Sequence, residues 1–203
     1  MNVALIGVSG RVGSRVLAEL LARGHTVTGI ARDVAGVSPR PGVAVKQADA
    51  IDVAQLAPAL AGHDAVVSAS NFVSSSPEAL IAAVKQAGVN RLLVVGGAGS
   101  LEVAPGKLLL DTPDFPEAYK PEALAGRDFL DVLRAERDLD WAYVSPAAEL
   151  EPGSRTGEFR LGKDQLLVGS DGRSWISMED FATALVDELE SPEHHRERFT
   201  VGY

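Results

Sequence analysis

Four apolar residues, Val3-Ala4-Leu5-Ile6, run without a polar break and end in Gly7-Val8-Ser9-Gly10-Arg11-Val12-Gly13. From there the pattern takes a helical period. Val12, Val16, Leu17, Leu20 and Leu21 share one face between Arg11 and Arg23, and Gly24 stops the helix. The alternation then repeats, with strands expected at His25 to Ile30, Val43 to Gln47, Asp64 to Ser68, Arg91 to Val95 and Trp141 to Val144. Helices are expected at Asp52 to Leu60, Pro77 to Ala87 and Lys120 to Arg137, the last with an apolar stripe at Ala123, Gly126, Leu130 and Leu133. A continuous apolar run such as Arg91 to Val95 suits a strand buried on both faces. The whole predicts an α/β fold, a doubly wound parallel sheet with helices on both faces and right-handed crossovers.

Beyond Pro146 the rhythm loosens. Glu151 to Gly157 reads as loop and Gln165 to Val168 as a strand. Ser177 with Asp180 resembles a capping box ahead of a helix from Phe181 to Leu189. Phe199 to Val201 is expected to close the sheet as an edge. No linker or repeat divides the chain, so residues 1–203 are read as one domain, with a small lid region at about 147–203 covering the substrate side.

Composition narrows the chemistry. A net charge of −9 over 203 residues argues against a general nucleic-acid binder, since phosphate contacts need clustered Lys and Arg. The absence of cysteine excludes thiolate catalysis and Cys-based zinc sites. The histidines lie at strand entrances (His25, His63) or in the charged Glu193 to Arg198 segment, which reads as solvated, so no metal site is expected. No apolar stretch reaches the roughly 18 residues of a membrane span, and no leader pattern precedes the first strand. A cytoplasmic protein without nucleic-acid or membrane partners, monomer or homodimer, is the expectation.

The glycine run is the strongest motif. Gly7, Gly10 and Gly13 form a GxxGxxG turn between strand and helix, as a dinucleotide pyrophosphate requires: a tight turn, a backbone open to close approach, and a helix packed against the strand. The helix start then faces phosphate with free N–H groups. Ligands of such sheets lie across the carboxyl ends of the strands. After the second strand, Arg32 would suit a ribose 2′-phosphate, with Arg11 nearby, whereas Asp33 would suit a 2′-hydroxyl. Two arginines against one acid favour NADP, with NAD as the other possibility. Asp49-Ala50 either meets adenine or caps the next helix. Ala69-Ser70-Asn71 offers small residues beside ribose and phosphate, and Gly96 to Ser100 offers backbone on which a flat ring can lie.

These loops, with Tyr119-Lys120-Pro121-Glu122-Ala123, Leu139-Asp140-Trp141, Val144-Ser145-Pro146-Ala147, Ile176 to Ala182 and Arg198 to Tyr203, resemble a known family over the whole chain. It is the atypical short-chain dehydrogenase/reductase group of NAD(P)H-binding and NADH-flavin reductase proteins, akin to biliverdin/flavin reductases and NmrA-like proteins. The resemblance implies a Rossmann fold, with NADPH extended across it and a flavin as substrate rather than tightly bound cofactor. It assigns the pyrophosphate to Gly7, Ser9, Gly10, Arg11 and Val12, beside Gly13, and the 2′-phosphate to Arg32. Asp49 and Ala50 would meet adenine, Ala69, Ser70 and Asn71 the ribose, and Ser145 and Pro146 the nicotinamide amide.

One departure matters. The Tyr-x-x-x-Lys pair that protonates a carbonyl in the larger superfamily is absent: Ala123 and Ala147 stand four residues after Tyr119 and Tyr143, and Tyr203 ends the sequence. Tyr119, Lys120 and Ser100 remain as candidate catalytic residues, and the first two read equally well as a surface loop and helix start. Phe72, Phe115 and Trp175 are candidates for stacking an acceptor. Two readings stand: hydride transfer from NAD(P)H to a flavin or similar planar small molecule, which needs mainly alignment of two rings, and an NmrA-like dinucleotide sensor without turnover. A sugar epimerase would need the missing pair and more chain.

Overall fold

A computed structural model describes residues 1–35, 37, 38 and 40–203. Eight strands form the main sheet: β1 (Asn2–Ile6), β2 (Thr26–Ala31), β3 (Val43–Gln47), β4 (Ala65–Ser68), β5 (Arg91–Val95), β8 (Asp140–Pro146), β10 (Arg160–Gly162) and β12 (Glu197–Gly202). Their order is β10-β12-β8-β5-β4-β1-β2-β3. Every pairing is parallel except that of β10 with β12. This is the Rossmann arrangement, and the chain reverses direction across the sheet between β1 and β4, where such sheets open a crevice. The small pairs β6 (Glu102–Ala104) with β7 (Lys107–Leu108), and β9 (Glu149–Glu151) with β11 (Trp175–Ser177), stand outside it.

Alternation along each strand builds two cores. Ala4, Ile6, Val66, Leu92, Trp141 and Tyr143 pack with α2 (Val53–Leu60), α3 (Pro77–Gln86) and α4 (Lys120–Ala135). Val3, Leu5, Val67, Leu93, Ala142 and Val144 pack with α1 (Arg11–Ala22) and α5 (Met178–Glu190). The apolar stripe of α4 therefore faces the sheet, with Gly126, Phe129, Leu130 and Leu133 buried. Among the described residues no helix is long and apolar enough to cross a membrane.

Three expectations for the C-terminal quarter are corrected. Phe199 to Val201 is not an edge: β12 lies between β8 and β10, and the edge is the short β10. Gln165 to Val168 is not a strand, and only Gln165 makes an isolated bridge, to Glu102. The Glu193 to Arg198 segment is not simply solvated. His194 stacks on Phe199 and contacts the buried Glu188 at 2.7 Å, and Arg198 is buried. Charge in a sequence does not reveal that its partners lie across the sheet. Of the region expected as a lid, β10, β12 and α5 are built into the sheet and its faces, while β9 pairs with β11 outside the main sheet.

Half of the capping box expected at α5 forms: Ser177 Oγ accepts from the Asp180 N–H at 3.0 Å, while the Ser177 N–H turns to the Tyr203 hydroxyl and not to Asp180. Asp180 in turn pins the loop before it, accepting from the N–H groups of Thr156 and Gly157, both at 2.8 Å, and from the hydroxyl of Tyr203 at 2.6 Å. Burial works to raise this carboxyl, yet the donors from Thr156, Tyr203 and Gly157 outweigh it and hold it below the ordinary carboxylate range.

Candidate functional site

Two adjoining cavities open at the carboxyl ends of the strands. The first, about 310 Å³, is lined by the loops after β1, β2, β3 and β4. It gathers nine of the residues expected to hold a dinucleotide: Gly7, Ser9, Gly10, Arg32, Asp49, Ala50, Ala69, Ser70 and Asn71.

The glycine turn has the required form. Gly7 adopts φ +79°, and a Cβ there would come within 2.6 Å of the Ala69 carbonyl oxygen. A Cβ on Gly13 would stand 2.1 Å from the Gly7 carbonyl oxygen, so this glycine sets the close approach of α1 to the turn. Gly13 acts in packing and is not in the cavity wall. Arg11 and Val12 likewise lie in the first turn of α1 outside that wall.

Helix ends divide informatively. Asp52, Ser76 and Ser177 cap α2, α3 and α5 with side-chain oxygens. Like α4, which runs on from a 3₁₀ turn at Tyr119, α1 has no side-chain cap among the described residues, its start being at Gly10. Its free N–H groups and positive dipole end adjoin the cavity, a fit to the pyrophosphate of a dinucleotide. The cap of α2 is Asp52, which leaves Asp49 on the cavity wall, its carboxylate accepting from the Ile51 N–H at 3.2 Å. Arg32 and Asp33 both line the cavity; the Asp33 carboxylate accepts from the Ala35 N–H at 2.9 Å, and Arg32 makes no side-chain bond among the described residues.

The second cavity, about 500 Å³ and mainly apolar, lies against the first. Its floor is Gly96 to Ser100 after β5, one side is the flank of α4 from Tyr119 to Arg127, and the rim includes Phe115 and Glu149. The short 3₁₀ turn Phe72–Ser74 divides the two, with Asn71 and Ser74 facing the first cavity and Phe72 the second.

That dividing turn is held by a residue whose role the sequence did not reveal. The carboxylate of Glu122 accepts from the N–H of Phe72 at 2.6 Å and from that of Val73 at 3.0 Å. An acid in the first turn of a helix reads as a dipole partner; that it caps another turn 50 residues away appears only on folding. Tyr143 does similar work beneath. Its hydroxyl donates to the Gly126 carbonyl at 3.1 Å and accepts from the Gly97 N–H at 3.3 Å. Burial pushes this phenol far above its ordinary range, so it stays protonated and serves as a clamp.

The expected catalytic and stacking residues separate. Tyr119 lines the second cavity but is 66% exposed. Lys120 forms an ion pair with Glu117 and is not in either wall, a correction to its expected reach toward the site. Ser100 lines the cavity, but it is buried and its Oγ accepts from Arg198 at 3.0 Å, which fixes it as part of the floor. Ser145 and Pro146 are buried at the end of β8 and line neither cavity; Ser145 Oγ has no partner among the described residues. Phe72 and Phe115 stand in the second cavity, whereas Trp175 packs edge-on to Tyr203 elsewhere. The glycines after β5 all line this second cavity. A Cβ on Gly96 would strike the Tyr143 ring and one on Gly99 would strike Ala123, so these two also serve close packing, whereas one on Gly97 would meet only Phe72 at 3.9 Å. No group of three or more metal-binding side chains occurs among the described residues.

With this geometry, the chain belongs to the NAD(P)H-binding family, whose model matches residues 7–192. Three solved structures align over its full length. A candidate epimerase from Bacteroides thetaiotaomicron is 45% identical with a TM-score of 0.95, with 96% of that chain covered. A candidate exported protein from Burkholderia pseudomallei is 46% identical at 0.91, with 100% covered. A candidate NADH-flavin reductase from Streptococcus pneumoniae is 37% identical at 0.85, with 99% covered.

Proposed function

We propose that the chain is an NADPH-dependent reductase of a small planar acceptor, with flavin as the type case. The observation that carries this is the pairing of a phosphate-ready cleft with a mainly apolar cavity, in a chain that lacks the Tyr-x-x-x-Lys pair. Gly7, Ser9 and Gly10 with the start of α1 would hold the pyrophosphate. Arg32 would hold the 2′-phosphate, Asp49 and Ala50 the adenine, and Ala69 to Asn71 the ribose. When bound, the reduced nicotinamide supplies a hydride, which with one proton from water converts a flavin or quinone to its dihydro form. The remaining task of the protein is alignment. Glu122 fixes the turn between the cavities, Tyr143 fixes the floor, and Phe72 and Phe115 offer faces against which an acceptor ring packs. A cytoplasmic setting, with NADPH at hand, belongs to this reading.

The likeness to the Bacteroides protein raises epimerisation as a second reading. It needs a side chain to take and return a hydroxyl proton. Tyr119 is exposed with Ala123 where the lysine would stand, and Tyr143 donates its proton to a backbone carbonyl. The reductase reading is therefore preferred. Its test is the decay of nicotinamide absorbance with NADPH and a panel of flavins and quinones. Turnover with at least one acceptor supports it, and none with any overturns it in favour of a dinucleotide sensor of the NmrA-like kind.

A further inference from the structure

Resting on that reading, we infer that the second cavity selects an uncharged acceptor ring and disfavours one carrying a phosphate or sulfonate. Its walls are apolar for most of their area, with Phe72, Leu109, Phe115, Pro116 and Tyr119 among them. The charged residues on those walls are Asp114, Glu122 and Glu149 against the single cation Arg127. That cation forms an exposed pair, its guanidinium 2.8 Å from the Asp128 carboxylate. Glu149 has a counter-ion in Arg173, but the carboxylate of Glu151 shares the same guanidinium at 3.9 Å. The Glu122 carboxylate lies against the dividing turn, where it occupies the amides of Phe72 and Val73 that an anion would otherwise seek.

The contrast with the first cavity sharpens the point. There a helix start without a side-chain cap and Arg32 await anionic groups. Here α4, whose start also lacks a side-chain cap, offers mainly its flank, and its first turn carries the acid Glu122. A ligand anion entering the second cavity would meet carboxylates against one paired cation on the wall, in a site where apolar surfaces strengthen the field. An uncharged ring meets the apolar wall without that penalty. The acceptor class that fits is thus a neutral planar ring, such as a quinone or a flavin without its phosphate, the carboxylates acting as a charge filter at the mouth.

The test compares ligands that share a ring and differ in one anionic group: riboflavin with FMN, and a naphthoquinone with its sulfonate. Binding to the full-length protein in the presence of NADP is read by flavin fluorescence or calorimetry, alongside NADPH-dependent turnover. The neutral member of at least one pair is expected to bind about tenfold or more tightly at low ionic strength, the gap narrowing as salt screens the carboxylates. The double variant Asp114→Asn with Glu149→Gln is expected to raise affinity for the anionic member and leave the neutral one within about twofold. Equal or tighter binding of the anionic members, or no binding of any of the four, overturns the inference. Selective binding of the neutral rings without turnover would uphold the charge filter while removing the reductase reading.

Discussion

Single residues carry distinct duties around the two cavities. In the proposed function Arg32 would discriminate between phosphorylated and unphosphorylated dinucleotide. Arg32→Glu is expected to remove a charge-assisted pair of about 1.5–3 kcal/mol, a roughly ten- to hundredfold loss of NADPH affinity. NADH affinity should change little, and equal losses for both would return the role to Asp33. Tyr119 tests the absence of a catalytic acid. Tyr119→Phe is expected to lower kcat by less than about tenfold, against the 10²–10⁴-fold effect typical of general acid catalysis. A collapse of several orders of magnitude in steady-state assays would make Tyr119 a proton donor after all. Tyr119 and Lys120 were legible as a motif. Their separation was not, because pairing with Glu117 is a three-dimensional choice of the lysine side chain.

At the scale of elements, two carboxylates bind one segment to another. Glu122 ties α4 to the turn after β4 through two hydrogen bonds to backbone N–H groups. Glu122→Ala frees that turn, and NADPH binding is expected to weaken by about three- to tenfold, Glu122→Gln falling between it and wild type because one acceptor oxygen survives. Unchanged binding in titrations of Glu122→Ala would show that the dividing wall holds itself. Asp180 ties α5 to the loop at Thr156 and Gly157 and to Tyr203. Because its carboxyl is held below the ordinary range when folded, its bonds contribute fully above the unfolded value, about 3.9. That contribution is lost as pH falls through the lower folded value. The stability gap between wild type and Asp180→Asn is therefore expected to be largest near neutral pH and to shrink below about pH 4. A gap that stays constant in thermal melts from pH 7 to pH 3 would assign the effect of Asp180 to packing.

For the whole molecule, ligand binding and stability are one measurement. NADPH at about a hundred times its Kd should stabilise the protein by about 2.7 kcal/mol, raising Tm by roughly 5–11 °C for a chain of this size. Gly10→Val, which places a branched side chain before the free start of α1, is expected to keep its circular dichroism yet lose that shift. A full NADPH shift in the variant would mean that the turn is structural and the cleft lies elsewhere. What the sequence determined is what local periodicity and turn chemistry encode. The order of strands and helices, the glycine turn and the loops lining the first cavity all follow from residues close together in the chain, where apolar spacing and missing side chains act directly. What only the tertiary structure decided depends on residues far apart. Arg198 reads as surface charge until β12 enters the sheet and buries it beside Ser100. Gly96 and Gly99 read as cavity floor, but that they must also lack a Cβ to pack on Tyr143 and Ala123 shows only in the fold. The second cavity, its dividing turn and its carboxylates likewise arise only when α4 folds back over the loops after β4 and β5, because long-range packing decides which side chains meet.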